Sequence, residues 1–233
     1  MPKEKCTGGC SEDLAICIMG TLEREGTEGP VEILHISGEV LVKTKEGVWL
    51  RATEGARIDK GMMIRTGPRS TAGMMMDDGS MVILYENTDL RIAELFRVQS
   101  KSTLSIVIEL TKGIIFSDVT TRDGTKFEVD TAVSVSGVQG TKFEVSFDGA
   151  TSETKVYEGD VEVTSKYGDS IILGPSEKVS VSESRFGQKE VFDQSAQDKW
   201  WEEAGGGTNC CAGFALLGAA LGFAMLSARA KGI

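Results

Sequence analysis

The chain has 233 residues and a formal net charge of −10 at pH 7. This length is enough for one β domain with additional segments at its ends. The negative charge repels nucleic-acid phosphates and argues against a nucleic-acid partner. Aromatic residues make up only 6% of the chain, so the core is expected to consist mainly of Val, Ile, Leu and Met.

Residues 1–30 are polar and rich in glycine, and they predict a flexible N-terminal segment. This segment contains three of the five cysteines, Cys6, Cys10 and Cys17. Their spacing is unlike the usual zinc patterns, so incidental thiols are favoured over a metal site. Leu14–Met19 is apolar but short and follows two acidic residues, which does not predict a secretory signal.

Residues 31–185 predict an all-β domain, an antiparallel β-sandwich or β-roll built from many short strands. Glycine-containing turns recur between short runs of β-branched residues. Apolar and polar residues alternate within these runs, as expected for strands with one buried face. The residues predicted to share a buried face are Val129, Thr131, Val133 and Val135 on one strand, and Phe143, Val145 and Phe147 on another.

Two local patterns predict how strands are connected. Asp77-Asp78-Gly79 lies between two apolar runs and is typical of a hairpin turn, because glycine adopts a positive φ freely. The two carboxylates are a weaker candidate for calcium, since the Asp-x-Asp-x-Asp-Gly loop is missing. The hexapeptide GTKFEV begins at Gly124 and again at Gly140, which predicts two similar strands that are neighbours in one sheet.

Few side chains could support chemistry. His35, the only histidine, lies in the first predicted strand without a nucleophile motif, so a structural role on the wet face or at an edge is favoured. Met62–Met63 and Met74–Met76 resemble a soft-metal ligand set, but alternation sends neighbouring thioethers to opposite faces and favours core packing. The sequence therefore predicts no enzyme and no catalytic, cofactor-binding or metal-binding residue.

Residues 186–209 predict a polar linker that is partly helical and is broken by Gly205–Gly207. Trp200 and Trp201 lie within this linker. They would either sit at the level of lipid headgroups, as interfacial aromatic residues do, or cover one end of the β domain. The sequence leaves both alternatives open.

Residues 210–233 predict a C-terminal transmembrane helix with a basic end. The stretch 210–228 carries no charge, and as a helix it would be about 28 Å long, close to the hydrocarbon thickness of a bilayer. Gly218 and Gly222 have a spacing that lets two membrane helices approach closely, which indicates a route to a homo-oligomer. The alternative is a helix buried in the core of a soluble oligomer. Cys210 and Cys211 suggest lipid attachment, although small apolar positions of a helix are favoured.

The glycine-marked motifs follow a definite order along the β region. In the first half they are Ile36-x-Gly38-Glu39-Val40, Trp49, Gly55–Ile58, Gly61–Gly67, Ser70–Ala72, Asp78–Ser80 and Asn87–Leu90. In the second half they are Gly113–Ile115, Phe127–Thr131, Gly137–Thr141 with Phe143, and Val156–Val161. Together these motifs resemble a FecR domain over residues 33–181.

Resemblance to the FecR family implies a β-rich, usually extracytoplasmic domain. The type that gave the family its name relays an iron–siderophore signal from an outer-membrane receptor to a sigma factor. This chain departs from that type, because no anti-sigma segment precedes the β domain and the apolar segment follows it. Ala132 and Gln139 also stand where the family often has Pro and Arg.

The sequence thus predicts a non-enzymatic, membrane-anchored module for protein interaction, scaffolding or envelope signalling, with protein partners and no cofactor. Arg229 and Lys231 follow the single span and favour a cytoplasmic C-terminus, which places the β domain outside. The missing N-terminal signal argues for the opposite side, and the resemblance decides for an extracytoplasmic domain. The alternative is a soluble intracellular assembly protein whose apolar tail packs in an oligomer core.

Overall fold

The computed structural model describes residues 31–76, 78–98, 103–120, 126–197 and 201. The strands of this part are β1 (Val31–Ser37), β2 (Val40–Lys43), β3 (Trp49–Arg51), β4 (Arg57–Ile58), β5 (Met63–Thr66), β6 (Thr71–Met76), β7 (Met81–Leu84), β8 (Asp89–Val98), β9 (Thr103–Asp118), β10 (Lys126–Asp130), β11 (Ser134–Val138), β12 (Lys142–Phe147), β13 (Thr151–Glu158), β14 (Val161–Ser165), β15 (Ser170–Leu173), β16 (Glu177–Ser182), β17 (Arg185–Phe186) and β18 (Glu190–Val191). A short 3-10 helix spans Gln194–Ala196. The prediction of an all-β protein is confirmed.

Strand pairing divides these strands between two sheets that share β9. Sheet A has the order β4-β1-β6-β7-β9-β12-β13-β16, and both β17 and β18 pair with β16. Sheet B has the order β3-β2-β5-β8-β9-β10-β11-β14-β15. The described pairings are antiparallel except that of β9 with β10, which is parallel and departs from the predicted antiparallel arrangement.

Strand β9 connects the sheets because its two parts pair with different strands. Its first part, up to Lys112, pairs with β8 in sheet B. From Gly113 onward it pairs with β12 in sheet A. Gly113 has a φ of 104°, a conformation that favours glycine. The sixteen-residue strand therefore passes from one sheet into the other at this glycine.

One hydrophobic core is formed by side chains of both sheets. On β9, Ile106 and Ile108 are buried while Ser105 and Val107 are only half-buried, which is the alternation expected for a strand with one face on a core. The predicted buried face of Phe143, Val145 and Phe147 is confirmed. Aliphatic side chains and methionines make up most of this core, as the low aromatic content implies.

The repeated hexapeptide does not form neighbouring strands, so that prediction is wrong. Its first copy ends in β10 of sheet B, and its second copy ends in β12 of sheet A. Both strands flank β9 instead of each other. Phe127 and Phe143, the aromatic residues of the two copies, meet edge to face in the core with ring centroids 6.2 Å apart. The repeat therefore encodes two strands that face one another.

The single strand predicted through Val129 and Val135 is also wrong. β10 ends at Asp130, and β11 returns antiparallel from Ser134. Thr131 closes the turn, because its Oγ1 accepts a hydrogen bond from Ser134 N at 3.0 Å and its N–H donates to Ser134 O at 2.9 Å. A threonine hydroxyl that bonds nearby backbone competes with strand extension.

Several predicted segments lie at or beyond the limits of the described residues. β17 and β18 fall at the start of the region predicted as a linker. The predicted flexible segment 1–30 and the apolar tail 210–233 are outside the described residues, as are all five cysteines. Within the described ranges, no helix has the length and apolar character needed to cross a bilayer.

Candidate functional site

The sole histidine of the chain makes one polar contact in the structure. His35 lies in β1, opposite Gly73 of β6, with its side chain 38% exposed. Its Nδ1 is 3.3 Å from Glu54 Oε1, and Glu54 Oε1 also accepts a hydrogen bond from Ile36 N at 3.0 Å. The Glu54 carboxylate therefore contacts both the imidazole of His35 and a backbone N–H of β1. This arrangement is a structural one.

The methionines within the described ranges do not converge on a site. Met74 and Met76 are buried in the core, whereas Met75 between them is 38% exposed. Met62 is buried, and its sulfur accepts a hydrogen bond from Asp59 N at 3.2 Å. Alternation along β6 therefore separates the thioethers as predicted, and the buried ones pack against aliphatic side chains.

The predicted hairpin at Asp78-Gly79 is present between β6 and β7. Asp78 is buried, and its Oδ1 accepts a hydrogen bond from Ser80 N at 2.9 Å. Gly79 has a φ of 89°, and its N–H donates to Met76 O at 2.9 Å. Asp77 lies outside the described residues. Among the described side chains, no group of three or more His, Cys, Asp or Glu could hold a metal ion.

The outer face of sheet A carries a row of charged side chains, which we call the charged row: Glu144, Lys155, Glu153, Lys178 and Glu190. Lys155 Nζ is 3.0 Å from Glu144 Oε1 and 3.4 Å from Glu153 Oε1. Lys178 Nζ continues the row, at 3.1 Å from Glu153 Oε2 and 3.7 Å from Glu190 Oε2. Strand register explains the row, because Glu144 pairs with Lys155 and Lys155 pairs with Lys178 across β12, β13 and β16.

Burial makes this row more than a set of surface ion pairs. Glu144 is only 6% exposed. Burial opposes ionisation of Glu153, but a hydrogen bond from Lys178 and the charges of Lys155 and Lys178 outweigh it and lower the pKa of Glu153. Burial likewise disfavours the charge of Lys155, and Glu144 and Glu153 outweigh it and raise the pKa of Lys155. These shifts favour the charged forms of Glu153 and Lys155, and each of the two groups depends on its partners in the row.

Next to the charged row lies an aromatic cluster formed by Ile83, Phe116, Tyr157, Phe192 and Trp201. Trp201 stacks on Phe116 with ring centroids 4.3 Å apart and planes 3° from parallel. Tyr157 contacts Trp201 at 4.7 Å and Phe192 at 5.5 Å. Burial is the main cause that raises the pKa of Tyr157, and the negative charges of Glu144 and Glu153 raise it further. The phenol therefore stays protonated.

The aromatic cluster joins the segment after β18 to sheet A. Phe192 N donates to Ser176 O at 2.9 Å, and Gln194 Nε2 donates to Tyr157 O and to Ser176 Oγ, both at 3.0 Å. Of the two alternatives open for Trp201, the structure shows the second, because this side chain covers part of the β domain. Trp200 lies outside the described residues.

The outer face of sheet B carries a second candidate surface, which we call the Trp49 surface: Leu41, Lys43, Trp49, Arg51, Met63, Arg65 and Arg91. The register places Trp49, Lys43, Met63 and Arg91 in one line across four strands. Arg65 stacks on the Trp49 ring at 4.6 Å, and Lys43 lies over it at 5.7 Å. Both contacts are within the range of cation–π attraction.

Ion pairs hold two arginines of the Trp49 surface in place. Arg65 binds Asp89 through two hydrogen bonds, at 2.6 and 2.8 Å. Arg91 pairs with Glu109 of β9. The half-buried Trp49, Leu41 and Met63 lie between these cations. A tryptophan with ordered arginines and a partly exposed apolar floor has the composition of protein-interaction hot spots.

Sequence reasoning missed both surfaces. The alternation along its strand predicts that Glu144 points outward. Its burial is connected with Lys155, which lies opposite Glu144 only because β12 pairs with β13. Trp49 was noted only as part of a motif, and the two cations over its ring, Lys43 and Arg65, come from β2 and β5. No local sequence pattern reports such cross-strand neighbours.

Comparison with known proteins gives a family match. Residues 62–162 match the family model described as FecR protein. Two crystal structures of a "putative anti-sigma factor" from Parabacteroides distasonis are similar to this chain, each with 24% identity and a TM-score of 0.49. Each similarity covers 56% of this chain and 60% of that one, so less than two thirds of the solved chain is matched. A search of curated proteins finds no match. The match over residues 62–162 confirms, for that part of the chain, the resemblance to a FecR domain that the motifs carry.

Proposed function

We propose that this protein is a non-enzymatic regulatory module that acts through protein contacts and is held at a membrane by its C-terminal segment. The single observation that carries the proposal is the FecR match, since proteins of this family are regulatory. Sheet A and sheet B support it, because their outer faces present ordered charged and aromatic side chains of the kind that protein partners recognise.

The Trp49 surface is the contact region that the geometry favours. The Trp49 surface carries four basic side chains, of which Arg65 and Arg91 are paired with carboxylates, in a chain whose net charge is −10. Arg51 is exposed two positions after Trp49, and Lys43, the cross-strand partner of Trp49, is half-buried. A locally basic surface on an acidic protein favours an acidic protein partner, because attraction at contact range is not screened away.

The membrane attachment rests on residues 210–228 and on the docking of Trp201. Cys210 is nine positions after Trp201, so a fully extended connection between them spans at most about 32 Å. A domain fastened at Trp201 would therefore stay close to the bilayer surface. Arg229 and Lys231 after the apolar stretch favour a cytoplasmic C-terminus, which places the β domain on the extracytoplasmic side.

A protease-protection experiment on intact cells tests the attachment and the side together. An epitope is inserted after Gly149, where the tight turn between β12 and β13 has nothing within 4 Å of an added Cβ, and a second epitope follows Ile233. We expect external protease to remove the first epitope and to spare the second, and extraction of the full chain to require detergent.

Lysed cells provide the control, because both epitopes must then be digested. A variant that ends after Gly207 should be extracted without detergent. Protection of the Gly149 epitope in intact cells would contradict the extracytoplasmic placement. A full-length chain that is extracted as an oligomer without detergent would support the alternative, in which the apolar tail packs in an oligomer core.

A further inference from the structure

The four lateral edges of the two sheets differ in their protection. Sheet A ends at β4 on one side and at β17 and β18 on the other, and each of these strands has two residues. Sheet B ends at β3, which contains Arg51, and at β15. Short strands and charged residues are the usual means of preventing an edge from pairing with another chain. Within the described residues, β15 is the longest of these edge strands, and the strand itself contains no charged residue.

Strand β15 is an apolar edge that is open on one side. Its four residues, Ser170–Leu173, carry no charge and no proline. It pairs with β14 alone among the described strands. Ile172 points to the outer face of sheet B and is 61% exposed, and Tyr167 in the preceding turn is 59% exposed. The open side therefore presents backbone groups beside a large apolar side chain.

Carboxylates surround this edge. Asp169 directly precedes β15, Glu162 is the partner of Ile172 on β14, and Asp160 Oδ1 lies within 3.6 Å of a Cβ built on Gly174 just after the strand. All three side chains belong to exposed residues. None of them forms an ion pair with a described residue, whereas nearby Lys166 is paired with Asp130. The edge is thus aliphatic in the middle and acidic at both ends.

We propose that the open edge of β15 binds an extended segment of a partner protein as an additional strand of sheet B, and that this segment has an aliphatic side chain at its centre and basic side chains two positions to either side, on the same face. Backbone hydrogen bonds to β15 supply the affinity of such strand addition, and side chains at alternate positions supply the specificity. An aliphatic residue beside Ile172 and cations near Asp160 and Asp169 match the chemistry of the edge. This inference rests on the proposed function, for which it names one class of partner.

Fluorescently labelled peptides test the proposal on the full chain in detergent. The probe is a blocked pentapeptide Lys-Thr-Val-Thr-Lys, with two comparison peptides: Glu-Thr-Val-Thr-Glu, and the lysine peptide N-methylated at its three central residues. We expect only the unmodified lysine peptide to bind, with slower hydrogen exchange in β15. N-methylation removes the backbone donors that strand addition needs, and the glutamate peptide is repelled by the three carboxylates.

Two variants localise the binding. Ile172→Lys should weaken binding of the lysine peptide about tenfold or more, because it places a like charge opposite the peptide. Val191→Lys is the matched control, since Val191 is 79% exposed on the two-residue strand β18, and it should bind as the unaltered chain does. Circular dichroism of each variant serves as the control for folding.

Three results would overturn the proposal: no binding of the lysine peptide, equal binding of its N-methylated form, or unchanged affinity in Ile172→Lys. None of these results would affect the outcome of protease protection, so failure of this inference is distinguishable from failure of the membrane attachment. Binding that survives N-methylation would indicate simple attraction to the acidic surface instead of strand addition.

Discussion

Gly113 occupies the point at which β9 leaves sheet B and enters sheet A. A Cβ at this position would lie 2.3 Å from Thr88 Oγ1 and 2.5 Å from Thr88 Cα. Thr88 cannot move aside easily, because it is fully buried and its Oγ1 accepts a hydrogen bond from Ile114 N at 3.1 Å. Thr88 therefore both holds Ile114 in place and leaves no room for a side chain at position 113.

Gly113→Ala should destabilise the protein by about 3 kcal/mol or more, because a strained φ and an overpacked contact add to one another. Gly149→Ala is the matched control: its φ of 102° is close to the 104° of Gly113, but nothing lies within 4 Å of an added Cβ. The control should lose only about 1–2 kcal/mol, the cost of the φ alone. Urea unfolding of both variants measures the difference, and equal losses would show that the contact with Thr88 is not limiting.

The elements after β16 depend on aromatic packing more than on strand pairing. β17 and β18 contribute two residues each, and the 3-10 helix has no buried residue. What holds this segment is Phe192 and Trp201 against Tyr157 and Phe116. A polar stretch of sequence is thus fixed to the domain by two widely spaced aromatic residues.

Trp201→Ala should therefore lower the free energy of unfolding by about 3 kcal/mol, a typical cost of removing a buried tryptophan from packed surroundings. Tyr167→Ala should change it by less than about 0.5 kcal/mol, since an exposed side chain away from such features contributes little. Urea unfolding followed by circular dichroism compares the two. A Trp201→Ala variant as stable as the unaltered chain would show that the stacking on Phe116 contributes nothing to folding.

At the same scale, local patterns succeeded where the responsible contacts are local. The Asp78-Gly79 turn and the alternation in β12 follow from glycine conformation and from one buried face, and both were predictable. The turn at Thr131 was not predictable, because its hydroxyl bonds the backbone where alternation alone would extend the strand. The pairing of β10 and β12 with β9 was not predictable either, because it joins residues far apart in the chain.

For the molecule as a whole, β9 makes the two sheets one cooperative unit. It pairs with β7 and β12 in sheet A and with β8 and β10 in sheet B, and the core residues of both sheets form one cluster. Neither sheet can lose its structure without removing a strand from the other. A single unfolding transition is expected for such an arrangement.

Tryptophan fluorescence tests this cooperativity, because Trp49 lies on sheet B and Trp201 lies on sheet A. One variant keeps only Trp49, with Phe at positions 200 and 201, and the other keeps only Trp201, with Phe at positions 49 and 200. Each fluorescence transition in urea should coincide with the circular dichroism transition of the same variant. A Trp201 signal that changes at lower urea would show that the aromatic cluster opens before the sheets.

Passage of β9 through both sheets also bears on how the chain could be divided. A break between Asp118 and Lys126 would leave β9 in the first fragment, where the flanks that normally receive β10 and β12 would be vacant. The second fragment would hold the two strands of matching sequence that fill those flanks. Severed halves of this protein thus possess complementary templates for reassembly, a property that follows from one strand serving two layers.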